Sequence, residues 1–363
     1  MKIHFVCGNI YPHTTGGMEV FNYYFIRELS SKHQVSYSAY RDAKIEKATF
    51  FHLHKWRPQH LFFPLHIFIH FYQLPKDTLI VYSYSEASGL IWFFNAFFAK
   101  LFNLKYIIIN HWGATPNWKF SFPFRYFFKN SHKNIAVSED ISKNYYLKYG
   151  IKFEIIPPLI PFFKTNQLEK DILLSYNLPE DAFVLSFIGS LKPMKNPNIV
   201  LKAFALLGIE YIKTNNLHLI FAGEGVLKKE LEQWCFENNL SNYIHFLGII
   251  KKENIPEILK ITKIYIISSD YEGTSVSLLE AMFNKLSIIG SDSVGINNMI
   301  VHGFSGLLYP VYDDKKLAEN IHFLVPDKAL RIKLGENAHA FYQNNYIYED
   351  FIKKYEKIIN LEE

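Results

Sequence analysis

Alternation of short apolar strands with helical-period segments, repeated twice along 363 residues, predicts an α/β chain. The predicted form is two Rossmann-like, doubly wound parallel-sheet domains facing a cleft. Two observations carry this reading. The strands are continuous β-branched or aromatic runs separated by helices of roughly 10–15 residues, the pattern of parallel sheets covered on both faces. A Pro-rich joint near 157–161 then divides the chain into two such series. The expected domains are residues 1–163 and 164–345, with 346–363 as a helix that returns to the first domain.

In order, the first series reads as strand "IHFVCG", a loop to Gly17, and a helix through "EVFNYYFIRELSSK". Strands "QVSYSAY" and "TLIVYSY" follow, then helix "GLIWFFNAFFAKLF", strand "YIIIN", a helix near "FRYFFKN", strand "NIAVS" and a helix from Asp140; "FEIIPP" closes the series. The second series starts with strand "FVLSFIG" and a helix opened by Pro197, a favourable first-turn residue. Strand "LHLIFAG", helix "VLKKELEQWCFENN", strand "IHFLG", helix "IPEILKI", strand "IYIISS", a helix near 276–284 and strand "LSIIGS" come next, with further helices after them.

Composition narrows the function. Two cysteines, Cys7 and Cys235, offer neither a disulfide framework nor a metal cluster, which suits a reducing, cytoplasmic compartment. The N-terminus reads as a first strand, not a signal peptide. The most apolar runs fall short of the ~20 residues of a membrane span. Charge is unevenly shared: residues 1–163 hold 18 Lys and Arg against 9 Asp and Glu, while the remainder holds 21 against 25. The first part also holds 22 of the 33 phenylalanines and four of the five tryptophans. A basic, aromatic half suits an anionic membrane surface or a phosphorylated substrate. No Lys/Arg cluster or binding motif supports nucleic acid.

Ligands of such sheets bind beyond the carboxyl ends of the strands, and there the chain is polar and glycine-rich. In "SSDYEGTSVSLLEAM", Glu272 precedes a helix expected to start near Ser275 to Ser277, and Glu280 lies one or two turns inside it. Both acids can face one crevice at a helix N-terminus, a ready anion site. Alternatively, Ser277 and Glu280 have the spacing of a capping box and Glu272 is merely solvated. In "GSLKPMKN", Lys192 and Lys195 either neutralise a diphosphate or are ordinary surface lysines. Gly16 and Gly17 in "HTTGG" permit close backbone approach or form a plain turn. His111 directly follows "YIIIN", and only that position lifts it above a structural histidine. The stretch "FHLHKWRPQHLFFPLHIFIH" reads as an amphipathic surface element or as core packing of a loop; its histidine spacings fit no compact metal motif.

Taken together and in this order, these motifs resemble the retaining glycosyltransferases of family 4, the group 1 glycosyl transferases of GT-B architecture. The likeness spans nearly the whole chain and is most specific from Phe183 to Pro310, through "FIGSLKPMKN", "FAGEG", "IHFLG", "SDYEGTSVSLLEAM" and "HGFSGLLYP". The resemblance implies that Glu272 contacts the donor sugar and Glu280 the nucleotide ribose. It implies that the backbone of Gly273, Thr274, Ser275 and Val276 holds sugar hydroxyls or phosphate, and that Lys195 binds the diphosphate. Gly248 and Ile250 would contact the base, Gly16 and Gly17 would lie near the diphosphate and acceptor, and His111 would stand beside the donor sugar. It further implies a UDP- or GDP-sugar donor and a glycan acceptor; no cofactor or metal is expected, because no Asp-x-Asp at a strand end offers a metal site. A lipid-linked acceptor at the inner face of the cell membrane, engaged near Lys55, Trp56 and Arg57, would fit capsule or O-antigen assembly.

The chain departs from the family pattern at four places. Ser190 stands where an Arg is frequent, with Lys192 as a substitute point charge. Asn196 replaces a frequent Gly, "IIPPLI" stands for "IPNG", and Asn298 occupies a usual Glu position. The expected reaction is hexosyl transfer with retention by front-side attack. The rivals are a nucleotide-sugar epimerase of the same fold and a non-catalytic nucleotide-sugar-binding partner.

Overall fold

A computed structural model describes residues 1–14, 16–52, 63–84, 89–111, 122–158 and 161–360. The chain divides into two compact units, 1–161 with 348–363, and 162–347.

The first unit runs β1 (Lys2–Gly8), α1 (Gly17–Ser30), β2 (Gln34–Ala39), β3 (Ala48–His52), α2 (Phe63–Gln73), β4 (Thr78–Tyr84) and α3 (Gly89–Leu101). It continues with β5 (Tyr106–Asn110), α4 (Phe122–Lys129), β6 (Lys133–Ala136), α5 (Glu139–Tyr149) and β7 (Glu154–Ile155). The second unit comprises α6 (Glu169–Ser175), β8 (Phe183–Ile188), α7 (Pro197–Leu206), α8 (Ile209–Thr214), β9 (Leu217–Ala222), α9 (Lys228–Glu237) and β10 (Ile244–Gly248). Then come α10 (Ile255–Ile261), β11 (Thr262–Ile267), α11 (Val276–Phe283), β12 (Ser287–Ser291), β13 (Leu307–Tyr309), α12 (Asp314–Leu324) and α13 (Lys328–Asn345). A final helix, α14 (Tyr348–Ile359), belongs to the first unit.

Among the described residues every strand pairing is parallel. The first sheet has the order β3-β2-β1-β4-β5-β6-β7, and the second β10-β9-β8-β11-β12-β13. In each, the direction of winding reverses once, between β1 and β4 or between β8 and β11. A parallel strand inside such a sheet is covered on both faces, so its run must be apolar throughout, and β5 and β9 are buried along their whole length. In the second unit one cluster joins Leu185, Phe187, Leu219, Phe221, Ile264 and Ile266 from the strands to Val200, Phe204, Leu317 and Ile321 from the helices.

Amphipathic α14 seals the first unit. Its Phe351, Tyr355, Ile358 and Ile359 are buried, the Tyr355 hydroxyl donates to the Ile156 carbonyl at 3.3 Å, and its ring lies 4.7 Å from that of Phe25. On the surface Glu356 pairs with Lys32 at 2.6 Å. The histidine-rich stretch resolves into parts. Residues 48–52 are the edge strand β3, residues 63–73 form α2, and Lys55, Trp56 and Arg57 fall outside the described residues.

Candidate active site

The reversal point of the second sheet brings together the loops that follow β8 and β11, where α/β sheets hold their ligands. The β8 loop starts at Gly189 and leans on the loop after β9. Leu191 N–H donates to the Glu224 carbonyl at 2.9 Å, and a Cβ on Gly223 would lie 1.9 Å from the Gly189 carbonyl oxygen. Only glycine permits backbones to approach so closely, which explains "GEG" as packing of one loop on another. A short turn, Pro193–Lys195, then delivers the chain to Asn196 at φ 47° and ψ 46°. This left-handed conformation suits glycine first and asparagine next. The Asn196 amide also donates to the Ser268 carbonyl at 3.2 Å and to the Asp270 carboxylate. Ser268 Oγ donates back to the Lys195 carbonyl at 2.7 Å, and Asp270 N–H to the Met194 carbonyl at 3.0 Å. The two loops are thus laced together, and the Asn that stands for a frequent Gly forms part of the lacing.

Glu272 is fixed from three sides. Its N–H donates to the Val294 carbonyl at 3.0 Å, Ser269 Oγ donates to its Oε1 at 2.7 Å, and Lys195 Nζ forms an ion pair with the same oxygen. Ser291 and Ser293 hold the Ser269 carbonyl in turn, each at 2.7 Å. The two charged side chains keep 23% (Lys195) and 13% (Glu272) of their surface, enough for a ligand to reach them.

Helix α11 follows. Ser275 is its N-cap, with Oγ accepting from Leu278 N–H at 3.4 Å. The first intrahelical bond runs from Leu279 N–H to the Ser275 carbonyl, so the amides of Val276 and Ser277 lie ahead of the ladder. The capping box that was the alternative reading of Ser277 and Glu280 does not form. Ser277 Oγ accepts from the Tyr265 hydroxyl at 2.9 Å, while Glu280, 4% exposed, forms an ion pair with Lys252. Burial pushes the Tyr265 hydroxyl far up, and the charges of Glu272 and Glu280 add to it, so one phenol senses both acids.

The other residues singled out from the sequence divide between the units. Ser190 is half-buried and Lys192 exposed on the β8 loop. Gly248 ends β10 at φ 69° and bridges to Gly223, and Ile250 packs against the apolar cluster that includes Ile172 of α6 and Ile258 of α10. Gly273 and Thr274 lie half-buried between Glu272 and the α11 cap. In the first unit Gly16 is the N-cap of α1 and Gly17 its first residue. His111 caps the end of β5, its Nε2 3.1 Å from Ser83 Oγ and its ring 5.3 Å from Phe21 on α1. Burial pushes the His111 imidazole down to about 3, so it is neutral near pH 7. Lys252, Ser269, Asp270 and Gly295 were not legible as site residues. Among the described residues no group of three or more His, Cys, Asp or Glu is placed to hold a metal ion.

Residues 170–341 match the family model described as glycosyl transferases group 1. The second unit is a group 1 glycosyl transferase domain. Curated relatives agree. An uncharacterized glycosyltransferase of Methanocaldococcus jannaschii is 28% identical over 66% of this chain and 64% of its own length. The UDP-Gal:alpha-D-GlcNAc-diphosphoundecaprenol alpha-1,3-galactosyltransferase of Escherichia coli is 28% identical over 64% of this chain and 58% of its own. The chain therefore spans about six-tenths of the length of these relatives. Anabaena HepE, solved in complex with UDP and glucose, superposes with a TM-score of 0.80 over 99% of both chains at 16% identity. That likeness shows the fold: two parallel-sheet α/β domains of the GT-B class.

Proposed function

We propose that the protein is a retaining hexosyltransferase that moves a sugar from a nucleotide diphosphate donor to an acceptor hydroxyl. The observation that carries this is the Lys195–Glu272 pair at the reversal point of the second sheet, immediately before the α11 N-terminus. A donor diphosphate draws Lys195 to its phosphates, which releases Glu272 Oε1 for the sugar hydroxyls. The backbone from Gly273 to Val276 offers N–H groups to phosphate or sugar at the helix start. Glu280 accepts from the ribose, and Gly248 and Ile250 line the base. Ser190 and Lys192 flank the diphosphate, with lysine as a point charge where a guanidinium fork is frequent. Gly16 and Gly17 serve the diphosphate and acceptor from the first domain. His111, neutral, hydrogen-bonds the donor sugar as a dipole, not as a cation.

In the reaction the bond from the anomeric carbon to the diphosphate oxygen breaks, and the acceptor oxygen bonds that carbon on the same face. The acceptor proton passes to the departing phosphate oxygen, which leaves as nucleoside diphosphate. Lys195 and the α11 amides stabilise the charge that grows on the phosphates, a preorganised contribution of roughly 3–4 kcal/mol. A uridine donor is favoured by HepE, solved with UDP and with UDP-glucose.

On the acceptor side, α2, α3 and α4 contain no Asp or Glu. Tyr72, Phe97, Leu101 and Phe122 are exposed on them beside Lys100, Arg125 and Lys129. Phe93 on α3 lies 6.0 Å from Phe122 on α4, and Phe68 on α2 lies 5.6 Å from Phe98 on α3. A cationic aromatic surface of this kind suits the inner face of an anionic membrane and a lipid-linked glycan, as in capsule or O-antigen assembly. Among the described residues no helix is long and apolar enough to cross a membrane.

The test is incubation with radiolabelled UDP- and GDP-hexoses plus a bacterial membrane extract. Transfer into lipid that is lost in Glu272→Gln, with an axial donor linkage kept axial in the product, supports the reading. Binding of a donor with neither transfer nor hydrolysis refutes it in favour of a non-catalytic partner. Release of a sugar with altered stereochemistry favours an epimerase instead.

A further inference from the structure

Glu280 is answered by a cation that no motif announces. Lys252 opens a short turn, Lys252–Asn254, between β10 and α10, two residues beyond Ile250. Its Nζ pairs with Glu280 Oε1, and the side chains keep only 7% (Lys252) and 5% (Glu280) of their surface. The contact ties the loop after β10 to the flank of α11, two segments that share no strand pairing.

Stability alone is a poor reason for such a pair. Taking two charges out of water costs several kcal/mol each, and apolar residues of similar volume often hold a fold as well. The geometry offers a better one. A carboxylate has two oxygens and about four acceptor positions, and the ion pair with Lys252 is made through Oε1. An ammonium anchored on a short turn therefore fixes the plane of the Glu280 carboxylate and leaves acceptor capacity for paired hydroxyls of a ligand. The same turn begins two residues after Ile250, so the position of the carboxylate is set from the segment assigned to the base.

We propose that Lys252 is a positioning residue that aims Glu280 at the vicinal hydroxyls of the donor's ribose. It touches no reacting atom. The inference rests on the reading in which Glu280 accepts from the ribose, and the test separates the two.

The experiment is calorimetric titration of the full chain with UDP and GDP, each beside its 2′-deoxy form. The variants are Lys252→Met, Glu280→Gln and the double variant. Wild type is expected to prefer the ribonucleotide. In Lys252→Met, affinity for the ribonucleotide falls by roughly 10- to 100-fold, the loss typical of a charged hydrogen bond, and the preference over the deoxy form collapses. The double variant is expected to match Glu280→Gln, because Lys252 acts only through that carboxylate. It also replaces a buried charge pair by neutral groups, so this comparison stands even where Lys252→Met alone fails to fold. A wild type that binds ribo- and deoxynucleotide equally overturns the ribose reading, and the inference with it. A discriminating wild type whose Lys252→Met variant discriminates equally overturns the inference alone. So does a double variant weaker than Glu280→Gln by a further tenfold, since Lys252 would then contact the nucleotide itself.

Discussion

Gly295 supports Glu272 from behind, and its replacement by alanine tests how the acid is held. Gly295 has φ 89°, and a Cβ built there lies 2.0 Å from the Glu272 carbonyl oxygen. Gly303, in the same unit, has φ 74° with nothing within 4 Å of the corresponding Cβ. The two alanine variants therefore share the backbone penalty and differ in space. A side chain held at positive φ costs roughly 1–2 kcal/mol. Gly303→Ala is expected to show that loss and no more. In Gly295→Ala the new methyl group also pushes the loop after β12 away from the Glu272 peptide by more than an ångström, since real Cβ contacts stay beyond 3.0 Å. That shift breaks the bond from Glu272 N–H to the Val294 carbonyl, a net loss of about 1 kcal/mol, with strained packing added.

The expected total for Gly295→Ala is about 2–4 kcal/mol, against about 1–2 kcal/mol for Gly303→Ala. Hydrogen exchange in graded urea, read on peptides from 162–347, isolates the second unit from the first. Transfer assays then report on Glu272 itself. A displacement of about 1 Å at a catalytic group costs on the order of a hundredfold in rate, so Gly295→Ala loses transfer even where it remains folded. Gly303→Ala keeps near-wild-type transfer. Equal stability and equal transfer in the two variants would refute the claim that close packing behind Glu272 sets its position.

Two further outcomes follow from the first unit. His4, fully buried, shares its Nε2 with His70 Nε2 at 3.1 Å, and burial pushes His4 well below its ordinary range and His70 down to about 4. A depressed imidazole binds fewer protons folded than unfolded, so stability falls as pH drops from about 6.5 towards 4. Acidification from pH 7 to 5 is expected to remove about 2 kcal/mol through His70, read as a lower urea midpoint for peptides of 1–161, and a midpoint that does not move refutes the assignment. The cationic aromatic face predicts sedimentation with phosphatidylglycerol vesicles at low salt, weakened at high salt and by Phe97→Ser with Phe122→Ser. Absence of binding in both salts removes the membrane and favours a soluble acceptor.

Much of this was legible in the sequence because parallel strands announce themselves as unbroken apolar runs, and the residues after them are polar by contrast. β3 and β13 were not read, since 48–52 lies at a sheet edge with mixed exposure and 307–309 is three residues long. The α11 cap was left between Ser275 and Ser277 for a definite reason. Ser275 and Ser277 both precede the apolar stripe, and local spacing favours Ser277 with Glu280. What decides between them is the Tyr265 hydroxyl, which comes from β11 and occupies Ser277. Asn196 was the converse case: its variation from glycine is explained by a left-handed backbone that asparagine tolerates.

The two acids themselves were visible as a pair eight residues apart, but their counter-charges were not. Lys195 reaches Glu272 across 77 residues, and Lys252 reaches Glu280 from another loop again. No periodicity couples such positions, because each pair joins segments that follow different strands of the sheet. Each acid is therefore set by a lysine on a different strand-end loop. In the proposed reading the more exposed pair, Lys195 with Glu272, opens to an incoming anion, whereas Lys252 with Glu280, more deeply buried, stays closed and is shared. One carboxylate is thus exchangeable and the other fixed, the division of labour that a site needs if it must hold a nucleotide while releasing the sugar it carries.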